Sequence, residues 1–197
     1  LPAMRLRILL GGLAVAVAVP LLGVSSASGA GSSGERIGGS TRYETAIELS
    51  RQTFPAGASE LVIARGDMFP DALVASFVAS LYNGNGPVLL TPSDRLPAAV
   101  KAEVERLDPF RIWILGDRGA VSHSVESELG PLTRDLVRVP GATRYDIPAI
   151  IAGKIESSIP HAFVVSGENW PDAVSVAPVA NAAGVPIVLT AKDTLPE

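Results

Sequence analysis

The chain has 197 residues, a formal net charge of −4 at pH 7 and a hydrophobic content of 47%. This length is sufficient for one or two domains, each with a sizeable core. Cysteine is absent, which excludes disulfides, thiolate catalysis and Cys-ligated zinc, so we expect stability to come from packing alone.

The first thirty residues have the pattern of an export signal. Arg5 and Arg7 form a basic start, an apolar stretch follows at 8–24, and small residues continue up to Ala30. This order of basic, apolar and small residues is typical of a secretory signal peptide. We expect cleavage after Ala27 or Ala30.

A retained membrane anchor is the alternative for the same segment. Its apolar stretch of about 17 residues is shorter than the roughly 20 residues that span a bilayer, and Pro20 interrupts it. Residues 1–30 are therefore predicted to be a signal peptide and residues 31–34 a linker. Because two of the sixteen basic residues leave with the signal, the formal net charge changes from −4 to −6. After cleavage we expect no membrane segment.

The remaining chain contains an internal repeat. The segment "RIGGSTRYETAIELS" at 36–50 matches "RVPGATRYDIPAIIA" at 138–152, and the segment 61–97 matches 162–197 in the same order. Repetition at a fixed offset indicates tandem structural units. We assign the first module to 35–136.

The second module is assigned to 137–197 and is incomplete. It stops before any counterpart of "FRIWILGDRGAVSHSVESEL" at 110–129. We therefore expect the chain to be a fragment of a longer protein.

The first copy predicts alternating helices and short strands. Thr41 and Glu44 form a capping-box pattern that begins the first helix. The predicted elements are, in chain order, a helix to 53, a strand at 61–64, a loop at 65–70, a helix at 70–82, a strand at 87–91, a helix at 97–107, a strand at 111–115 and a helix at 120–129. Such alternation is typical of an α/β fold with a short parallel sheet covered by helices. Each copy is therefore predicted to be a Rossmann-like module of roughly a hundred residues.

Two helices of the modules have distinctive compositions. The helix at 70–82 is apolar on nearly all sides, so we expect it to be buried by its own sheet and by a neighbouring module. Pro178 lies inside the equivalent helix of the second copy and is expected to kink it.

The loop after the first strand of each copy is a candidate ligand site. A glycine between a strand and a helix is where α/β folds commonly bind ligands, and Asp71 and Asp172 follow that glycine at the helix start. Two interpretations are open. The aspartates cap their helices, or they hold a sugar hydroxyl or a cation.

Catalytic, metal and nucleotide motifs are missing from the sequence. It contains no GxGxxG after the first strand, no phosphate-binding P-loop and no GxSxG elbow. His123 and His161 lack metal-site spacing, and the "RGD" at 65–67 reads "SGE" in the second copy. We therefore predict no enzyme activity, no cofactor, no metal and no nucleic-acid partner.

The repeated Arg-Tyr pair is the second candidate site. Arg42 and Tyr43, and likewise Arg144 and Tyr145, combine a planar guanidinium with a flat amphipathic ring at a helix start. This combination suits anionic or sugar-rich polymers. The alternative is structural, with the arginine paired to a carboxylate and the tyrosine packed in the core.

These motifs resemble a known family. The segments "RIGGSTRYETAIELS", "DALVASFVA" with "PVLLT", and "IWILGDRGAVS" are similar to the cell-wall-binding repeat type 2 module of Gram-positive surface and secreted proteins. The resemblance covers 35–197. It implies Rossmann-like modules, three of which pack around a pseudo-threefold axis and bind an anionic wall polymer non-covalently. The residues of this sequence that match the family's motifs are Arg42, Tyr43, Asp71, Arg144, Tyr145 and Asp172. We assign them to the polymer site, with packing between modules as the alternative.

We therefore predict a secreted protein of the cell wall or cell surface that binds an anionic wall polymer through tandem modules. Its partners would be that polymer and further copies of the module. An alternative is the targeting region of a wall enzyme, either a peptidoglycan amidase or a protease. A small-ligand binding protein of the periplasmic type is disfavoured. Such proteins bind their ligand between two lobes whose binding surfaces differ, whereas the two modules of this chain are nearly identical.

Overall fold

The computed structural model describes residues 36–68, 74–75, 78–79, 86–141, 143, 145–154 and 161–194. The helices α1 to α5 are formed by Arg42–Thr53, Ala98–Leu107, His123–Leu129, Asp146–Lys154 and Trp170–Ala183. The strands β1 to β6 are formed by Glu60–Arg65, Val88–Thr91, Arg111–Leu115, Asp135–Val139, Phe163–Ser166 and Ile187–Thr190. The predicted signal peptide and linker lie outside the described residues.

The first sheet has four parallel strands in the order β2-β1-β3-β4. Leu61, Val62, Ile63 and Ala64 of the inner strand β1 are fully buried, as expected for a strand that is covered on both faces. The predicted α/β fold with a short parallel sheet is confirmed.

Strand β4 was not predicted from the sequence. It pairs with β3 from Arg111↔Asp135 to Leu115↔Val139 and so crosses the boundary that the repeat places after 136. Arg138 of β4 binds the loop that follows β3. Its guanidinium donates hydrogen bonds to the carbonyls of Gly116 at 2.8 Å and Val121 at 3.0 Å. The first sheet therefore uses residues that belong to the second copy by sequence.

Helices α1, α2 and α3 contribute to the apolar cluster that contains Ile63 and Ile114 of the first sheet. The buried members on these helices are Ile47, Val100, Val104, Leu107, Val125 and Leu129. Glu103 of α2 is also fully buried. Its carboxylate accepts hydrogen bonds from the Ser50 hydroxyl at 2.6 Å and from Arg106 at 2.7 Å, so the charge is compensated and connects α1 to α2.

The other apolar cluster joins the first sheet to the second half of the chain. It contains Val62 and Trp113 of the first sheet together with Ile147, Val165 and Leu189. The residues of the predicted helix at 70–82 that the structure describes are helical, and Val74, Ala75 and Val78 belong to the same cluster. The expected packing between modules is thus present as a shared core.

The second sheet consists of the parallel pair β5-β6. Val164 of β5 is 62% exposed, whereas its counterpart by repeat alignment, Ile63, is fully buried in the apolar cluster to which α1, α2 and α3 contribute. The second module is thus incomplete. Helix α5 runs through Pro178, and the kink expected there stays a prediction. None of the helices in the described ranges is long and apolar enough to cross a membrane.

Candidate binding site

The candidate site of the first module begins with the cap of α1. Thr41 is the N-cap, and its hydroxyl accepts a hydrogen bond from the Glu44 amide at 3.2 Å. The Glu44 carboxylate accepts a hydrogen bond from the Ser40 amide at 2.8 Å, and its bonds to Ser40 hold the pKa of Glu44 below its usual value. The predicted capping box is confirmed, and it places Arg42 and Tyr43 in the first helical turn.

Arg42 and Tyr43 both meet Gly66, which directly follows β1. The Arg42 guanidinium donates to the Gly66 carbonyl at 2.7 Å. The Tyr43 ring lies against the same residue, so closely that a Cβ at Gly66 would stand 2.6 Å from Tyr43 Cε1. The ring is half-buried beside the core, whereas Arg42 is exposed. Tyr43 therefore packs against Gly66 and the core, whereas the neighbouring Arg42 is exposed to solvent.

The second module repeats this arrangement. A Cβ at Gly167 would stand 2.5 Å from Tyr145 Cε1, so the Tyr145 ring lies against the equivalent loop glycine. The amides of Gly66 and Gly167 donate to the carbonyls of Thr91 and Thr190 at 2.9 and 2.8 Å. The glycine loop is therefore fixed to the neighbouring strand in the same way in both copies. Arg144 lies outside the described residues.

A further ion pair lies in the loop of the first module. The Arg65 guanidinium donates to the Asp67 carboxylate at 2.8 Å, which holds the pKa of Asp67 below its usual value. The positive charge of Arg42 acts in the same direction. The arginine and the aspartate of the "RGD" are therefore bonded to each other, and Arg42 of α1 lies close enough for its charge to act on Asp67.

The predicted aspartates contribute less to the described site. Asp71 lies outside the described residues. Asp172 occupies the first turn of α5, as predicted, and is exposed. Within the described ranges its carboxylate has no hydrogen-bond or ion-pair partner, so the structure gives no support to a capping bond by its side chain.

Sequence reasoning did not identify the contact between the tyrosine and the glycine. The available signal was a glycine at the same place in "RGD" and "SGE", at positions 66 and 167. A glycine retained beside a repeated aromatic indicates close approach of the ring to the backbone. Only the folded chain brings Tyr43 to Gly66.

Groups of side chains suited to holding a metal ion were not found in the described residues. No set of three or more His, Asp or Glu side chains there could hold a metal ion. His123 is exposed, with Nδ1 3.5 Å from the Glu126 carboxylate, and His161 is also exposed.

Similar proteins of known structure share this fold. Cwp6 from Clostridium difficile matches with a TM-score of 0.72 and 32% identity, over 81% of this chain and 25% of that protein. Cwp8 from the same organism matches with a TM-score of 0.73 and 30% identity, over 80% of this chain and 27% of that protein.

Two curated relatives come from Bacillus subtilis. N-acetylmuramoyl-L-alanine amidase LytC is 34% identical over 161 residues, which are 82% of this chain and 32% of the relative. Amidase enhancer is 34% identical over 163 residues, which are 83% of this chain and 22% of the relative. The chain thus spans a third or less of each.

The family Cell wall binding domain 2 matches residues 36–126 and 138–197, well over half of the chain. The two matches agree with the tandem repeat and with the duplicated glycine loop. The domain is a binding module, and it indicates a location at the cell wall or the cell surface. The chain therefore belongs to the Cell wall binding domain 2 family.

Proposed function

We propose that this protein is exported and attaches non-covalently to an anionic polymer of the Gram-positive wall through the glycine loops of its tandem modules. The observation that carries the proposal is the exposed Arg42 guanidinium, held by the Gly66 carbonyl at 2.7 Å. That bond uses one donor, and a guanidinium has five. The remaining donors are available for phosphate or carboxylate oxygens.

The local charge supports this site although the whole chain is acidic. The exported protein has a formal net charge of −6 once Arg5 and Arg7 are removed, so it is repelled on average by a polymer that bears phosphates. Around Gly66, however, Arg42 and Arg65 both lie close enough to the Asp67 carboxylate to lower its pKa. The amino end of α1 adds a partial positive charge in the same region. We infer that this local field attracts the polymer despite the net charge.

The tyrosines have a supporting role in this proposal. Tyr43 and Tyr145 pack against Gly66 and Gly167, which directly follow β1 and β5. We infer that this packing orients the arginine. Individually weak sites on two modules would then give firm retention, because binding at the second site is intramolecular once the first is occupied.

The test is sedimentation of the full-length mature protein with purified Gram-positive walls, before and after removal of their anionic polymers. We expect binding that requires the polymers and is lost in the variant Arg42→Ala plus Arg144→Ala. Lys101→Ala removes a positive charge from α2, outside the loops, and should bind as wild type does. If the wild type stays in solution with every wall, the proposal fails.

The polymer contact can be direct or bridged by divalent cations. Direct contact by arginine predicts that binding weakens as salt rises, because added ions screen the exposed charges. Bridging predicts release by a chelator at constant ionic strength. Asp172, in the first turn of α5, and its counterpart Asp71 would then hold the cation, and Asp172→Asn would reduce sedimentation only while the cation is present.

A second candidate function is the targeting of a wall enzyme. It is favoured by the matches to LytC and Amidase enhancer, which cover only 32% and 22% of those proteins. In that case the modules concentrate a catalytic domain at its substrate. The natural full-length protein should then cleave purified peptidoglycan, whereas residues 31–197 should bind walls without cleaving them.

Export itself is tested at the amino terminus. We propose that residues 1–30 are removed as a signal peptide. Amino-terminal sequencing of the wall-associated protein should find Ser28 or Gly31 as the first residue. Recovery of protein that still carries Arg5 and Arg7 would favour a retained anchor instead.

A further inference from the structure

A second surface of the first module forms a groove that is lined by one aromatic residue and three charged side chains. The groove measures about 430 Å³ and lies before the starts of β3 and β4, at the edge of the sheet opposite the glycine loop. Its volume falls in the usual range of ligand pockets, roughly 300–1,000 Å³. Its lining residues are Glu105, Asp108, Pro109, Phe110, Pro131, Leu132, Thr133 and Arg134.

Phe110 is the aromatic residue of this groove and is 49% exposed. Its backbone is fixed, because its carbonyl accepts hydrogen bonds from the Thr133 hydroxyl at 2.8 Å, the Arg134 amide at 3.2 Å and the Asp135 amide at 3.0 Å. A half-exposed ring on a rigid backbone offers a flat apolar face at little cost in conformational entropy.

The charged side chains around Phe110 have no partners within the described part of the chain. Glu105, Asp108 and Arg134 form no ion pair or side-chain hydrogen bond there, whereas Arg51, Arg106 and other arginines of the module are bonded to carboxylates. Asp108 ends α2 in the left-handed conformation with φ 48°, a place that glycine usually takes. The groove thus combines an aromatic face with free acceptors and a free donor.

We propose that the groove at Phe110 binds a neutral sugar ring of the cell wall, with the apolar face of the sugar on the phenyl ring. This proposal rests on the proposed function, because it requires that the protein is attached to the cell wall. Carboxylates of Glu105 and Asp108 accept hydrogen bonds from sugar hydroxyls, and Arg134 donates to them. Because two carboxylates face one arginine, the groove disfavours a polyanion, which we assign to the glycine loop instead.

The test is NMR titration of the ¹⁵N-labelled mature chain with three probes: a tetramer of N-acetylglucosamine, maltotetraose and a glycerol phosphate oligomer. We expect a neutral saccharide to shift the amide signals of 105–111 and 130–135. The tetramer represents the glycan strand and maltotetraose a hexose polysaccharide, so the effective probe identifies the source of the sugar.

Phe110→Ala should weaken saccharide binding about tenfold or more, equivalent to about 1.4 kcal/mol. Phe110→Tyr should retain binding, because the flat ring remains. Leu49→Ala is the matched control, since Leu49 is similarly exposed, at 46%, but lies on α1. Glu105→Gln, which alters an unpaired exposed side chain, provides a second variant if Phe110→Ala does not fold.

The proposal is overturned if neither saccharide shifts these signals, if only the glycerol phosphate oligomer does, or if folded Phe110→Ala and Glu105→Gln both bind as wild type. Its failure is separable from that of wall attachment. Sedimentation lost in the Arg42 and Arg144 variant but kept in Phe110→Ala would leave wall attachment standing, whatever the titration gives.

Discussion

Replacing Gly66 by alanine should destabilise the first module through a clash with a single ring. The new Cβ would lie 2.6 Å from Tyr43 Cε1 and 3.3 Å from Leu90 Cβ. Carbon atoms in good contact are roughly 3.5–4.0 Å apart, so the overlap with the tyrosine approaches 1 Å. The ring cannot simply withdraw, because it packs on the core cluster that contains Ile47.

Overpacking of this kind costs roughly 1–3 kcal/mol. We therefore expect Gly66→Ala to lower the free energy of unfolding by about 2 kcal/mol. In a Tyr43→Ala background the same substitution should cost under about 0.5 kcal/mol, because the clashing ring is absent. Gly167→Ala with Tyr145→Ala should behave in the same way, since the Gly167 Cβ would lie 2.5 Å from the Tyr145 ring.

The assay is urea unfolding of the mature chain, followed by circular dichroism, as a double-mutant cycle. Gly38→Ala is the control, because a Cβ there would have no atom within 4 Å. The reasoning is refuted if Gly66→Ala is as stable as wild type, or if its cost is the same with and without Tyr43.

Three further predictions concern stability. Thr41→Val should cost about 1 kcal/mol in urea unfolding, because it removes the N-cap acceptor of α1. Arg138→Leu should cost about 2 kcal/mol, because it frees loop carbonyls next to β4, and Arg134→Leu, exposed and unpaired in the described residues, is its control. Burial raises the pKa of Glu103, but hydrogen bonds from Arg106 and Ser50 outweigh it, so the pKa lies below the usual 4.5. The ionised Glu103 carboxylate therefore stabilises the fold above about pH 4.5. This contribution is lost as the pH falls through the lowered pKa of Glu103 in the folded protein. The difference in free energy of unfolding between wild type and Glu103→Gln should become smaller from pH 6 to pH 3. A difference that does not change with pH would contradict this.

The elements with strong local signals were predictable from the sequence. The capping-box pattern of Thr41 and Glu44 predicts the start of α1, and the apolar run from Leu61 to Ala64 predicts a buried strand. In both cases the cause lies within a few consecutive residues. The repeat then extended these assignments to β5 and β6, whose own sequences are short.

The features that depend on distant residues were not predictable in the same way. Strand β4 reads "DLVRV", with polar residues at its first and fourth positions, and its place is set by pairing with β3 rather than by its own pattern. The sequence left open whether Tyr43 packs or binds, because either requirement would be copied with the module. The position of the ring on Gly66 follows only from the fold.

Strand β4 also shows that the boundary between the sequence repeats, after residue 136, does not coincide with the boundary of the first sheet, which ends at Val139. A gene fragment cut after residue 136 would encode only the first two residues of β4, Asp135 and Leu136, and would leave the edge of β3 largely bare. The rest of that strand would be carried away with the second copy. The first sheet thus takes Val137, Arg138 and Val139 from the beginning of the second repeat, so the first module needs its neighbour in the chain to complete its sheet.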